Sequence, residues 1–567
     1  MIKGIINWLR RNTFLFSDDK IVDVQAKPAV SSKNKTYLID ASVPSLIVDN
    51  PVPTTTFLPM TAQGDSGGGF PLGTKQQQAS GLRQMVNEAL VFMSGKSPKR
   101  ISKWAATSNL TLSPRAGVDL NAYYDRKSLK FFYFTDNVRA KVVYASDSRT
   151  VVTHEFGHAL LDIIRPDLWD LVSDEVWAFH EAFGDMVAIL NNLQYDGLID
   201  YALTANPDLT QSNAITRLAA DMGIGLYDIT NGQDGVLKNC LRDATIKYTY
   251  VSPSSLPSDG RDDQLLNEPH SFSRVFVSMF WSLVVQFTNS YMTVEKLAKK
   301  QALLRTRDTL ASYIMQAATT APANTKFFKS VCLEMLVADT KNKKRFQNIL
   351  LSTFSEWKIT DAPIKMMNNM TYDDIIKNVH SDFEYRDQGE TKVLCVGKVK
   401  KIKLSDLPIV NILGDDPLAN AEIEVAGNST YYFDSDMNLQ DSVETTEEDI
   451  TQTVISCISL IKAKNWLGEH EKAQFNLVDG KLVRTRISAC GCNKPNYCIP
   501  GSPEYQKPWK PKNNAGCVAC KSKCEPRSCD CANPTPAPAP KTGCYTSVSS
   551  CKTTSVKVGS RISRKVC

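Results

Sequence analysis

The stretch that most constrains this chain runs from Val151 to Leu190, VVTHEFGHALLDIIRPDLWDLVSDEVWAFHEAFGDMVAIL, where two strongly apolar helical patterns carry embedded histidines and carboxylates. In the first, Val151, Val152, Ala159, Leu160, Ile163 and Ile164 recur at core spacing, Asp147 or Ser148 can cap the start, and Pro166 ends it. At about 100° per residue, His154 and His158 lie about 40° apart, with Asp162 about 80° and Glu155 about 100° from His154. All four share one face. The second pattern, opened by Ser173-Asp174-Glu175, has Val176, Phe179, Phe183, Val187 and Leu190 as its core stripe, yet also Glu181 and Asp185 one turn apart. Carboxylates in so apolar a helix are costly unless they meet a cation or a donor, and a zinc ion with a ligand histidine supplies both.

Two imidazoles one turn apart, with a carboxylate beside them placed to take a proton from water, is the arrangement a catalytic zinc needs. The extended pattern H-E-x-x-H-x-x-G-x-x-H is excluded, because Leu161 stands at its glycine and Ile164 at its third histidine. A third ligand must come from elsewhere, and Glu181 and the adjacent His180, pointing about 100° apart on their helix, are the rivals.

His154-Glu-Phe-Gly-His158 followed by Asp162, and then Glu181-Ala-Phe-Gly-Asp185, resembles the H-E-x-x-H-x-x-x-D plus E-x-x-x-D pattern of the gluzincins, the thermolysin-like zinc metallopeptidases, over roughly residues 79–357. The resemblance implies an α+β fold: a two-lobed metallopeptidase core with a β-rich N-terminal lobe and a helical C-terminal lobe that closes with Phe327 to Trp357. It implies one zinc ion held by His154, His158 and Glu181, Glu155 as general base, and Asp162 and Asp185 orienting the histidines. In Glu268-Pro-His-Ser-Phe-Ser-Arg274 it makes His270 the donor to the developing oxyanion, where a plain structural reading has His270 capping the apolar helix that follows. In Asn121-Ala122-Tyr123-Tyr124 it makes Asn121 and Ala122 part of an edge strand that pairs with a substrate backbone, the alternative being an ordinary aromatic strand. Two departures stand out. Val172 occupies the place of the family's oxyanion-assisting tyrosine, and Leu265 that of an aspartate before His270, for which Asp262, Asp263 or Glu268 could substitute. Calcium, a further cofactor of the family, has no placeable ligands. The activity implied is endopeptidase cleavage of protein or peptide substrates. The alternative is a catalytically impaired zinc-binding protein acting as a binding or surface module.

The remainder of the 567 residues organises around that core. Residues 1–75 read as irregular strands and loops, 76–360 as the metallopeptidase domain, 361–487 as an accessory α+β module with a helix from Glu447 to Ala463, and 488–567 as a Cys-rich basic tail. Within 76–360, Leu82, Met85, Val86, Ala89, Leu90 and Met93 predict a helix, and Leu120 to Phe134, broken at Asp125 to Lys127, predicts a hairpin. An apolar content of 42% with 22% charged residues excludes a disordered chain. The longest uncharged apolar run, Val275 to Phe287, is too short to span a membrane and predicts a buried helix. Eleven of the 15 cysteines and 13 basic against 3 acidic residues lie from Ser488 onward, and no Leu, Phe or Met follows Ile487. Such a tail must be disordered, disulfide-stapled or metal-clipped. Its odd cysteine leaves a partner outside the chain as one outcome, while the lack of histidine and of a second paired C-x-x-C argues against a nucleic-acid module. Cysteine density favours an extracytoplasmic place, to which the expectation leans. Met1 to Phe16, interrupted by Arg10 and Arg11, lacks the form of a standard secretory signal and argues for the cytoplasm. The stretch ahead of His154 is long enough only for the family's N-terminal lobe, which predicts control from somewhere other than a large inhibitory pro-domain.

Overall fold

Helix α1, Lys75–Ser94, buries all six of its periodic apolar residues and starts at Thr74, whose hydroxyl accepts from Gln77 N at 3.2 Å. It belongs to a computed structural model that describes residues 35–40, 43–49, 58–64, 73–360, 371–379, 382–407, 417–470 and 473–488. These all fall in one unit ending at Lys510, so the Cys-rich tail lies outside the described residues. The protein is a mixed α+β chain with open sheets.

Strands β1 (Lys35–Asp40) and β2 (Val43–Asp49) form an antiparallel pair. Next come β3 (Met60–Ala62), β4 (Leu110–Ser113), β5 (Ala122–Tyr124) and β6 (Ser128–Phe131), which share one sheet. The hairpin predicted around Asp125 is the β5–β6 pair: Asp125 Oδ1 accepts from Lys127 N and Ser128 N, and Arg126 turns the chain with φ of 67°. Strands β7 (Tyr133–Asp136) and β8 (Lys141–Tyr144) pair beyond it.

The two motif helices follow. Helix α2, Arg149–Ile164, ends ahead of Pro166, and α3, Asp174–Asn192, begins at Ser173, whose hydroxyl accepts from Val176 N. They cross with almost no space between backbones. A Cβ added at Gly157 would lie 2.6 Å from Gly184 Cα, so only paired glycines permit this approach. Helix α4 (Asp196–Ala205), α5 (Ala220–Thr230) and the short strands β9 (Arg217–Leu218) and β10 (Arg242–Asp243) lead to α6, Pro269–Val294, which contains the predicted apolar helix and packs against α3. Helices α7 (Lys299–Thr320), α8 (Phe327–Thr340) and α9 (Gln347–Glu356) complete a helical body around one large apolar core.

Residues 371–488 add helix α10 (Tyr372–Ile376), helix α11 (Glu447–Lys464) and strands β11 (Phe383–Asp387), β12 (Lys392–Val396), β13 (Lys400–Lys403), β14 (Glu422–Val425), β15 (Ser429–Phe433), β16 (Leu439–Val443), β17 (Phe475–Val478), β18 (Lys481–Arg484) and β19 (Ile487–Ser488). They form two four-stranded sheets, in the orders β11-β12-β15-β16 and β13-β14-β18-β17. Helix α11 is set by a capping box between Thr446 and Asp449. This part shares apolar clusters with the helical body: Val172 and Trp177 pack with α11 and the β14–β18 sheet, and Leu333 and Val337 of α8 pack with Val393, Tyr432 and Val443. The closing strand β19 joins the first sheet, whose order is β19-β5-β6-β4-β3.

Candidate metal centre

The crossing of α2 and α3 presents His154, His158 and Glu181 to one another. The two imidazole centroids are 4.7 Å apart with rings nearly perpendicular. Glu181 Oε2 lies 3.2 Å from His154 Nε2, and Glu181 Oε1 lies 3.7 Å from His158 Nε2. Among the described residues these three form the one group of buried histidine, cysteine or carboxylate side chains whose ligand atoms all lie within 4.8 Å. Tetrahedral ligands at about 2.0–2.2 Å from a metal sit about 3.3–3.6 Å apart, so the donor set fits a single ion. His154 Nε2, both His158 nitrogens and Glu181 Oε2 lack hydrogen-bond partners despite complete burial, a state that a bound cation relieves. His180 takes no part in the group. Its ring is 5.9 Å from that of His158 and lies edge-on to Trp169, and burial holds its pKa well below the ordinary histidine value.

The electrostatics favour a cation at this spot. Burial alone would depress His154, but Asp185 and Glu181 outweigh it and raise the imidazole to about 9. A field that retains a proton there also attracts a metal ion. Burial keeps His158 neutral, as a ligand must be.

His154 Nδ1 donates to Asp185 Oδ1 at 2.8 Å, which leaves Nε2 for a metal. Asp185 is itself gripped by Arg242, whose Nε and Nη2 donate at 2.8 and 2.7 Å. Burial would raise Asp185, and Arg242 together with His154 holds it well below the usual carboxylate range. Asp162, expected to orient a histidine, is placed differently. It accepts from Tyr124 Oη at 3.0 Å and from both Arg126 Nε at 3.0 Å and Nη2 at 2.8 Å, while His158 Nδ1 has no partner. The β5–β6 hairpin saturates this carboxylate before it can reach the imidazole. Asp162 therefore ties α2 to the sheet.

Glu155 is fully buried and neither of its oxygens has a hydrogen-bond partner. Burial pushes its pKa up to about 8, the environment of a group that exchanges protons near neutral pH.

His270 is the second residue of α6. The capping is done by Glu268, whose Oε2 accepts from Ser271 N at 3.1 Å, and not by the imidazole. Glu268 Oε1 accepts from His270 Nδ1 at 2.6 Å, whereas Asp263 pairs with Arg261 at the surface. His270 Nε2 lies 3.3 Å from Glu181 Oε2 and donates to the backbone carbonyl oxygen of Ser488. Burial opposes a proton on His270, and Glu181 and Glu268 override it to raise the pKa to about 9.

Asn121 precedes β5, and Ala122 is its first residue. The edge of β5 pairs antiparallel with β19 in the register Ser488 to Tyr123 and Ile487 to Tyr124, and Ser488 Oγ donates to Asn121 Oδ1 at 2.6 Å. Val172 lies buried against Trp177 and offers no hydroxyl. A buried cation from β18, Arg484, faces Glu181 electrostatically, stacks over Trp177 and Phe475, and has no hydrogen-bond partner at Nε.

Arg242, Arg484 and the Ser488 carbonyl belong to no local pattern that would have pointed to them. No protein-family model matches this chain, and no curated protein matches it significantly.

Proposed function

We propose that this protein is a zinc-dependent endopeptidase that hydrolyses protein or peptide substrates. The observation that carries the reading is the buried His154–His158–Glu181 donor set beside a Glu155 carboxylate with no partner of its own. A zinc ion held by those three side chains supplies Lewis acidity to a water molecule and to the carbonyl oxygen of the bond to be cut.

The chain's own residues do the rest. A substrate backbone adds as a strand along β5 in the antiparallel register with Tyr123 and Tyr124 that Ile487 and Ser488 of the chain itself hold in this structure. His270 Nε2 donates to the carbonyl oxygen and to the negative charge that develops on it. Glu268 holds Nδ1, so the imidazole keeps both its orientation and its proton. Glu155, desolvated and unpartnered, takes a proton from the attacking water and passes it to the leaving nitrogen. Arg242 and Asp185 keep His154 in the tautomer that offers Nε2 inward.

The test is zinc content by atomic emission with casein turnover on the same samples of full-length protein, wild type beside Glu181→Ala, His180→Ala and Glu155→Gln. Expected are loss of one zinc equivalent in Glu181→Ala alone, and a Glu155→Gln protein that keeps its zinc and loses nearly all turnover. Zinc bound without any cleavage would replace this reading with the non-catalytic binding protein. No zinc at the site would overturn both.

A further inference from the structure

The edge of β5 is the place where a substrate strand would lie, and in this structure the chain itself lies there. Its approach is anchored residue by residue. Arg484 N donates to Asp170 Oδ1 at 3.0 Å and Arg484 O accepts from Trp169 Nε1 at 2.9 Å. Thr485 N donates to Gln474 O at 2.8 Å, the Arg486 guanidinium stacks on the Tyr123 ring at 4.9 Å, and Ile487 is buried. These contacts deliver Ser488 to β5 in antiparallel register, with its hydroxyl on Asn121 and its carbonyl oxygen on His270 Nε2. That same imidazole nitrogen is 3.3 Å from Glu181, one of the three residues that could hold the metal. A strand that merely covered a sheet edge would have no need to aim a carbonyl at this imidazole.

We infer that the protein's first substrate is its own chain, cut on the carboxyl side of Ser488, whose carbonyl is held in the cleft by the pairing of Ile487 and Ser488 with β5 and by the bond from His270. The inference rests on the peptidase reading. Water adds its oxygen to the Ser488 carbonyl carbon, the bond from that carbon to Ala489 N breaks, and Glu155 carries one water proton to the departing nitrogen. The other proton, released as the new acid ionises, completes an ammonium group on Ala489 and leaves a carboxylate on Ser488. Because the bond is tethered beside the reacting groups, the step is first order and independent of protein concentration. It separates the body from residues 489–567, which hold eleven cysteines and all 13 of the basic residues counted from Ser488 onward. While Ile487 and Ser488 occupy β5 an outside peptide cannot pair there, so cleavage of other proteins follows once self-cleavage has freed the new Ser488 terminus to leave the edge.

The experiment uses the full chain, stripped of metal by chelation, then given zinc under reducing conditions. Intact mass, N-terminal sequencing and casein turnover are followed together at two protein concentrations about tenfold apart. The result expected is a fragment ending at Ser488 and a fragment beginning at Ala489, formed with the same half-time at both concentrations, with casein turnover rising in step. Glu155→Gln should slow the conversion by at least about 100-fold. Casein cleavage by a chain that stays intact, or is cut elsewhere, overturns the inference and leaves the peptidase reading standing. A Ser488→Pro variant, which removes the backbone N–H of the strand and spoils its fit to β5, covers the remaining case. If that variant cleaves casein while the wild type is intact and inactive, the strand is an inhibitor and not a substrate, which also overturns the inference. If neither protein cleaves anything, the peptidase reading itself has failed.

Discussion

Replacing Gly157 by alanine adds one methyl group where α2 and α3 cross, and two effects of opposite sign compete. Inside a helix the exchange stabilises by about 1 kcal/mol, because glycine loses more backbone freedom on folding. At this position the new Cβ would stand 2.6 Å from Gly184 Cα and 3.3 Å from Gly184 N. Carbon atoms settle at about 3.5–4.0 Å, so the helices must part by about 1 Å, and both opposing atoms are backbone that cannot swing aside. Overpacking of this kind costs about 1–3 kcal/mol, which offsets the propensity gain or exceeds it. The larger consequence falls on the metal group, because His154 and His158 ride on one helix and Glu181 on the other. Separations of 3.2 and 3.7 Å already match those of ligands around a single ion, and a further 1 Å leaves one donor out of reach. Zinc affinity should fall by at least about 10–100-fold, the scale seen when a ligand's support is lost. The assay is competition against a chromophoric chelator, read at the site that Glu181→Ala abolishes, with urea unfolding of the metal-free protein alongside. Gly81→Ala is the control: in the middle of α1 its Cβ meets nothing nearer than Gln77 Nε2 at 3.7 Å. It should stabilise by about 0.5–1 kcal/mol and leave zinc affinity unchanged. A Gly157→Ala protein that binds zinc as tightly as wild type would refute the reasoning.

Asp185→Asn should weaken zinc binding by about 10–100-fold, since the imidazole of His154 then loses its anionic partner, whereas Asp162→Asn should leave zinc affinity near wild type. Its cost, about 1–3 kcal/mol in urea unfolding, comes from the Arg126 charge it leaves unpaired; equal losses of zinc affinity in the two variants would contradict the placement of Asp162 on the hairpin. Burial raises Asp174 from 3.8 in the unfolded chain to about 7, so the folded protein binds the proton more tightly. Its contribution is present in full below pH 4 and is lost as pH climbs towards 7, by up to about 1.4 kcal/mol per unit. Asp174→Asn, whose amide oxygen can still accept from Ser456, should therefore flatten the fall in stability between pH 4 and 7; an unchanged slope in urea titrations across that range would count against it. Arg242→Ala removes the two guanidinium donors to Asp185, leaving His154 Nδ1, and should lower zinc affinity while leaving the helices folded, a separation that circular dichroism and metal competition can read together.

What the sequence made legible follows from the range of the interactions involved. The face shared by His154, Glu155 and His158 is a matter of 3.6-residue periodicity within one helix, and the helix α2 that carries it starts after Ser148 and ends before Pro166 as the pattern implies. The capped start of α3 and the extent of α11 are equally local. Asp162 shows where that reasoning stops. Helical geometry put it on the right face, but what approaches a face is decided by tertiary packing, and here Tyr124 and Arg126 arrive from a hairpin whose aromatic residues announced only a strand. Arg242 sits on a two-residue strand with no periodic signature at all, so nothing local could assign it to Asp185.

The end of the described chain illustrates the same division from the other side. Composition alone marked a stretch without Leu, Phe or Met after Ile487, and placed a boundary between 487 and 488. Ile487 and Ser488 do not lie between two independent parts, however. They form the outermost strand of a sheet whose other members come from residues 60–131. A two-residue strand carries too little pattern to specify its partner, and the pairing is set instead by Arg484, Arg486 and Ile487 lodging against Trp169, Tyr123 and the core. The last described residue of that strand, Ser488, is also the one whose carbonyl oxygen meets the histidine beside the metal group, so a boundary drawn from composition falls on a residue that long-range pairing places at the site.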